Sequence, residues 1–157
     1  MKRIALLFLL ILPLVSSCSK EDEEPLVDAF IFGSWNFFCE GNCIQIYKYD
    51  QGKLYIDNMN SFREAPVITY KSTPLSSQLN TKAEALRATF PESYLMPLGN
   101  SLVACPNCVE EGGYYIAFEN RTGVLWWQIG REPALWPDEI KPFMELLIKT
   151  IAELPAE

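Results

Sequence analysis

Two close pairs of cysteines are the residues of this sequence with the clearest potential for chemistry. Cys39 and Cys43 are separated by three residues, Cys105 and Cys108 by two, and about sixty residues lie between the pairs. Thiols at these spacings form disulfide bonds, bind zinc as thiolates, or take part in thiol–disulfide exchange. The neighbouring residues and the compartment of the protein decide among these three chemistries.

The residues around the second pair disfavour redox catalysis. A catalytic Cys-x-x-Cys lies at the start of a helix, whose terminus lowers the pKa of the first thiol. Here residues 110–113, Glu-Glu-Gly-Gly, follow the pair and combine negative charge with no helical pattern. A structural zinc site with four thiolates stays an alternative. The Cys-Pro-x-Cys of the second pair resembles a zinc knuckle, although Val109 stands where a knuckle usually has glycine.

The amino-terminal residues have the layout of a signal peptide. Lys2 and Arg3 form a short basic region, and Ile4 to Val15 is an almost uninterrupted apolar run. This run of about a dozen residues is shorter than the roughly 20 residues that a membrane-spanning helix needs. We therefore predict a signal peptide over residues 1–17 rather than a permanent membrane span.

Residues 15–18, Val-Ser-Ser-Cys, resemble the lipobox of bacterial lipoproteins. The resemblance implies that Cys18 becomes the first mature residue and carries a diacylglycerol on its sulfur. Two or three acyl chains would anchor the protein stably, since each buried CH₂ contributes about 0.8 kcal/mol. The membrane is therefore the first predicted partner of the chain.

Residues 19–24, Ser-Lys-Glu-Asp-Glu-Glu, resemble the acidic export tag of surface lipoproteins of Bacteroidota. Small lipoproteins of this group are also similar in the early Cys-x-x-x-Cys and in the late Cys-Pro-x-Cys with Gly112 and Gly113. The resemblance implies a position in the outer membrane, facing the cell exterior, and a periplasm-facing position is the alternative. Such a charged run stays extended and solvated, so residues 18–28 are predicted to be the lipidated cysteine and an acidic tether.

An oxidising envelope favours disulfide bonds among the four paired cysteines, with the zinc site as the alternative. Three pairings are possible, and the sequence alone does not select one. We favour bonds that join Cys39 and Cys43 to Cys105 and Cys108. A cross-link that closes a long loop stabilises by several kcal/mol in the loop-entropy model.

The composition argues against several functional classes. The sequence has no histidine, which removes Ser-His, Cys-His and histidine–metal sites. Without Lys2 and Arg3 of the signal peptide, 11 basic residues face 20 acidic ones, so the formal charge is −9 and nucleic acid is not an expected partner. Asp57 and Glu119 are candidate carboxylates for acid–base chemistry. Most acidic residues of the chain, however, are predicted in turns or on helix faces, where contact with water is sufficient reason for a charged side chain. We predict no enzymatic activity and no cofactor.

Tryptophans provide the remaining binding hypothesis, because exposed aromatic faces stack on sugars. Trp126 and Trp127 are adjacent on a predicted strand, so their side chains point to opposite faces of the sheet. Trp136 lies in a following loop that can cover one of them. These three are the possible ligand-facing aromatics, and burial in the core or under a loop is the alternative for each.

Hydrophobic patterns predict a single α+β domain over residues 29–157. Strand patterns occur at residues 29–32, 35–38, 44–49, 53–56, 67–70, 101–105, 114–118 and 124–129. Residues 44–49 alternate between apolar and polar, and the turn at Gly52 predicts that they form a hairpin with residues 53–56.

One helix is expected from the Thr73-Pro74 pair to the residue before Pro91, and a second from Asp138 or Pro142. Apolar residues at helical spacing give each helix one stripe, from Leu75 to Phe90 in the first and from Ile140 to Leu154 in the second, and the sheet is the expected partner. The order β-β-α-β-β-α predicts an antiparallel sheet of about four to five strands with two helices on one face.

The functional prediction combines the anchor and the domain. We expect a membrane-anchored surface lipoprotein that acts as a binding or structural interaction module for a protein or glycan ligand. The alternatives are a periplasm-facing lipoprotein with a four-cysteine zinc site and a glycan-binding accessory protein.

Overall fold

The protein is described by a computed structural model that covers residues 28–36, 43–60, 67–106 and 112–156. Its strands are β1 (Ala29–Trp35), β2 (Ile44–Asp50), β3 (Lys53–Ile56), β4 (Ser101–Val103), β5 (Gly113–Asn120) and β6 (Gly123–Gly130). Its α-helices are α1 (Asn80–Ala88), α2 (Glu92–Leu95) and α3 (Lys141–Glu153). Within the described ranges, no helix is long and apolar enough to cross a lipid bilayer.

All six strands form one mixed sheet in the order β3-β2-β1-β5-β6-β4. The central strand β1 pairs antiparallel with β2 and with β5, whereas β4 pairs parallel with β6. The α+β class is confirmed. An entirely antiparallel sheet of four to five strands with two helices is wrong in detail, since the structure has a sixth strand, one parallel pair and a third helix. Strands β5 and β6 form an antiparallel hairpin, and β4 lies beside β6 and runs in the same direction as β6.

The predicted hairpin between β2 and β3 is present. Gln51 and Gly52 connect the strands, and both have positive φ values, 48° and 73°. Positive φ at both central residues is typical of the tight turn whose twist matches that of paired strands. The turn residues therefore set the register of this hairpin, in which Tyr49 lies opposite Leu54.

The segment before the first helix differs from the sequence prediction. The expected strand at residues 67–70 makes only a single bridge, between Tyr70 and Asp57. The helix expected from Thr73 begins instead at Asn80, after a 3-10 turn. The physical reason lies at Leu75, whose N–H donates to the carbonyl of Leu54 at 2.7 Å and keeps this part of the chain beside β3.

The main core lies between the sheet and the helices. Its buried residues include Phe30, Phe32, Tyr47, Leu54, Ala83, Leu86, Ile116, Trp127, Phe143, Met144, Leu147 and Ile151. Phe90, just beyond α1, connects the layers, because its ring centroid lies 4.9 Å from that of Phe118, 5.2 Å from that of Trp127 and 5.7 Å from that of Phe143. Such aromatic contacts add to the stabilisation from burial of apolar area. The apolar stripes predicted for α1 and for the last helix are therefore the faces that pack on the sheet.

Candidate functional site

The sheet has a second face, on the side away from α1 and α3, with its own apolar cluster. Six buried residues from β1, β2 and β5 form it: Ile31, Trp35, Ile44, Ile46, Tyr115 and Ala117. Met59, Ile68, Tyr70 and Trp126 pack against this cluster and are partly buried. The strands β1 and β2 are thus covered on both sides, unlike the one-sided sheet that the sequence analysis predicted.

Asp57 holds the covering segment against β2. One carboxylate oxygen accepts a hydrogen bond from the N–H of Ile46 at 2.7 Å, and the other accepts one from the N–H of Met59 at 2.9 Å. Asp57 is only 2% exposed. Burial raises the pKa of its carboxyl above the ordinary value, and the two N–H groups oppose that rise. Both oxygens therefore satisfy backbone donors, a structural rather than an acid–base role.

Charged and phenolic side chains lie in and beside the apolar cluster of the second face. Lys48 forms a salt bridge with Glu119 at 2.8 Å, and its ammonium group lies 5.8 Å from the centroid of the Tyr70 ring. Burial raises the pKa of Tyr70, and it raises that of Tyr115 to about 12. Both phenols are therefore neutral at ordinary pH, and Glu119 is engaged with a cation.

On the second face, apolar side chains reach solvent at the side of the sheet formed by β6 and β4. Trp126 is half-buried, Val124 is 44% exposed and Leu102 is 54% exposed. Gln128 lies beside Leu102 in the parallel pair and shares the face of Trp126. We call these four residues the Trp126 patch. The Asn100 side chain accepts a hydrogen bond from the Trp126 N–H at 2.9 Å, which fixes the backbone at this position.

The other two tryptophans considered as ligand-facing lie in the core. Trp127 is 0% exposed and its indole N–H donates to the carbonyl of Leu95 at 3.0 Å. Trp136 is 5% exposed and its indole N–H donates to the carbonyl of Gly130 at 2.7 Å. The alternation of a strand separates Trp126 from Trp127, as the sequence indicated. Among the three, only Trp126 is partly exposed to solvent.

Sequence reasoning missed the exposed neighbours of Trp126. Leu102 belongs to a strand of three residues, which is too short to show an alternating pattern. Val124 is the second residue of β6, next to a polar loop, and was expected only as a strand residue. The sequence did contain one indication of the patch: the alternating positions 124, 126 and 128 of a strand place their three side chains on one face of the sheet.

Cys43 and Cys105 lie at the same end of the sheet, and both sulfurs are in disulfide bonds. Cys43 directly precedes β2, and its carbonyl accepts a hydrogen bond from the N–H of Asn36 at 2.8 Å. The backbone of Cys105 lies close to Gly130: a Cβ atom added at Gly130 would be 3.1 Å from the carbonyl carbon of Cys105. Cys18, Cys39 and Cys108 lie outside the described residues, so the pairing remains a prediction.

The sheet geometry argues against a bond between Cys43 and Cys105. A row of paired residues runs from Ile44 through Trp35 and Gly113 to Gly130, and it crosses three strand spacings. Three spacings amount to roughly 14 Å. The Cα atoms of a disulfide usually lie about 4.4–6.8 Å apart. Cross-linking of the two pairs is therefore compatible with the sheet only as Cys39–Cys105 with Cys43–Cys108.

We expect protein purified without reductant to contain two disulfides, with Cys43 joined to Cys108. Cleavage after Glu40 separates Cys39 from Cys43, and fragmentation of the linked peptides then identifies the partner of each sulfur. The intact mass should lie about four hydrogens below that of the reduced chain. A Cys39–Cys43 peptide would support bonds within the pairs instead. A Cys43–Cys105 peptide would contradict the argument from the sheet, and one zinc ion per chain would favour the thiolate site.

Among residues 28–36, 43–60, 67–106 and 112–156, no three His, Cys, Asp or Glu side chains lie so that they could hold one metal ion together. Comparison with known proteins adds no assignment, because no family model matches the chain and no curated protein matches it significantly.

Proposed function

We propose that this protein is a lipid-anchored envelope lipoprotein whose domain binds a ligand through the Trp126 patch. The observation that supports the patch is the contrast among the tryptophans. Trp35, Trp127 and Trp136 are at most 5% exposed, while Trp126 is half-buried and shares its face of the sheet with the exposed residues Leu102 and Val124. Contiguous exposed apolar groups of this kind are typical of interaction sites.

The proposed ligand is a glycan, with a protein partner as the second candidate. The edge and face of an indole provide apolar contact for the C–H groups of a sugar ring, and neighbouring amide groups can bond its hydroxyls. Gln128 provides such an amide on the same face as Trp126. A protein partner is favoured by a different feature, the position of β4 at the edge of the sheet, where an extended peptide can add as a strand.

The proposed anchor is the lipid on Cys18, and the proposed orientation is toward the cell exterior. Nine residues lie between Cys18 and Asp28, where the described domain begins, so the two residues are ten positions apart. An extended chain spans at most about 3.6 Å per residue, so Asp28 lies within roughly 36 Å of the lipidated cysteine. Such a tether places the domain among the glycans and proteins of the envelope surface.

Replacement of Trp126 by alanine should weaken ligand binding without unfolding the domain. The parent chain, purified in detergent, is screened on a glycan array, and the affinity for each retained glycan is then measured by calorimetry. We expect the affinity of Trp126→Ala to be lower by about 5- to 150-fold, since stacking on an aromatic ring contributes about 1–3 kcal/mol.

Leu135→Ala provides the matched control, because Leu135 is also an exposed apolar residue, at 53%, on the 3-10 turn after β6. Its affinity should equal that of the parent. Equal affinity of Trp126→Ala and the parent would contradict the assignment of the patch. If the parent chain binds no glycan on the array, the glycan proposal fails and a protein partner becomes the candidate ligand of the patch.

A further inference from the structure

We propose that the domain has a second, independent binding site, a groove on the helix side of the sheet that takes a zwitterionic ligand of amino-acid or short-peptide size. The groove has a volume of about 920 Å³. It lies between the end of α1, the segment that carries α2, and the turn between β2 and β3. This volume is within the range of about 300–1,000 Å³ typical of small-molecule sites.

Arg87 is the cation of this groove. It is half-buried, and its guanidinium carbon lies 5.8 Å from the centroid of the Phe118 ring. Within the described part of the chain, Arg87 makes no salt bridge and no side-chain hydrogen bond. A guanidinium that packs on an aromatic face keeps the donors in its own plane available, and their fork geometry matches a carboxylate. The structure thus presents an oriented donor group without a protein acceptor.

Three carboxylates line the same groove: Asp28, Glu84 and Glu92. Together with Arg87 they give the lining a formal charge of −2, so a ligand with only negative charge would be repelled. A ligand with both a carboxylate and an ammonium group meets both signs, the carboxylate at Arg87 and the ammonium at the acids. Charge complementarity therefore selects a zwitterion over a simple anion.

The apolar part of the lining gives the ligand a third point of contact. Phe90 is buried at the base of the groove, and Met96 is 44% exposed at its rim. An apolar side chain placed between them would remove hydrocarbon from water on both partners. The expected ligand is consequently an amino acid or short peptide with free termini and an apolar side chain.

The test uses the full chain purified in detergent and the tripeptide Ala-Leu-Phe with free termini, and binding is measured by calorimetry. The matched probe is the same tripeptide with an acetylated amino terminus and an amidated carboxyl terminus. We expect the free tripeptide to bind at least tenfold more tightly than the capped one, because hydrogen bonds to charged groups contribute about 1.5–3 kcal/mol.

Two arginine variants make the site assignment falsifiable. Arg87→Gln should weaken binding of the free tripeptide about tenfold, and Arg121→Gln, on the turn between β5 and β6, should leave it unchanged. Glu84→Gln should also weaken binding, through the ammonium group. Thermal melting of each variant checks that the fold is retained.

Absence of binding by the free tripeptide would overturn the proposal, as would equal binding of the capped tripeptide or of Arg87→Gln. Competition by a neutral oligosaccharide would show that the groove takes a sugar and would overturn the zwitterion as its ligand. Because Trp126 lies on the opposite face of the sheet, loss of glycan binding by Trp126→Ala leaves this test unaffected.

Discussion

Replacing Cys18 by serine should release the protein from the membrane, because serine has no sulfur to accept a diacylglycerol. The variant should accumulate as uncleaved precursor or as soluble protein. Cell fractionation followed by immunoblotting measures the distribution. If Cys18→Ser still sediments with membranes after a high-salt wash, the apolar run before it acts as an uncleaved anchor and the lipoprotein proposal fails.

A second variant of the same segment provides the matched control. Replacing the four acids at residues 21–24 by alanine leaves the lipobox intact, so the protein should remain in the membrane fraction. It should lose sensitivity to protease added to intact cells, since the charge pattern that resembles an export tag is removed. If the variant is as accessible as the parent, the acidic run is a solvated spacer and the proposed export signal is wrong.

Replacing Trp127 by alanine should lower the free energy of unfolding by about 3–5 kcal/mol, the range measured for large aromatic residues removed from cores. Trp127 is fully buried, contacts Phe90 and Phe118, and bonds the Leu95 carbonyl. Trp126→Ala removes a half-buried ring from the other face and should cost about 1 kcal/mol. Urea unfolding under non-reducing conditions, monitored by circular dichroism, measures both values.

Trp127→Phe separates packing from hydrogen bonding at this position. Phenylalanine keeps an aromatic ring in the core but leaves the Leu95 carbonyl without its donor, so a loss of about 1–3 kcal/mol is expected. If Trp126→Ala and Trp127→Ala lower the free energy of unfolding by similar amounts, the assignment of Trp127 to the core and of Trp126 to a half-buried position is wrong.

The elements with regular patterns were predictable from the sequence. The alternation from Ile44 to Tyr49 and the Gly52 turn indicated a hairpin, and the spacing from Phe143 to Ile151 indicated the last helix; both are present. The start of α1 was not predictable from capping residues, because the long-range bond from Leu75 to Leu54 competes with the local preference of the Thr73-Pro74 pair. Local signals fail where a tertiary contact fixes the backbone first.

The candidate site was predictable only in part. Alternation separated Trp126 from Trp127, yet the exposed ring could not be identified, because its environment depends on which strand lies beside β6. That strand, β4, has three residues and carries no pattern of its own. The groove around Arg87 was also beyond sequence reasoning, since its lining comes from β2 and the turn after it, from α1, from the segment that carries α2 and from β5, which are distant in the chain.

The central position of β1 has a mechanical consequence for an anchored protein. If Cys18 holds the lipid, drag on the domain is transmitted through the tether to Ala29, along the axis of a strand bonded on both sides. A load in this direction shears the β1–β2 and β1–β5 ladders together, whereas a load on an edge strand would peel one ladder bond by bond. An anchor at Cys18 would therefore pull on an internal strand of the sheet, which resists extraction better than an edge strand would.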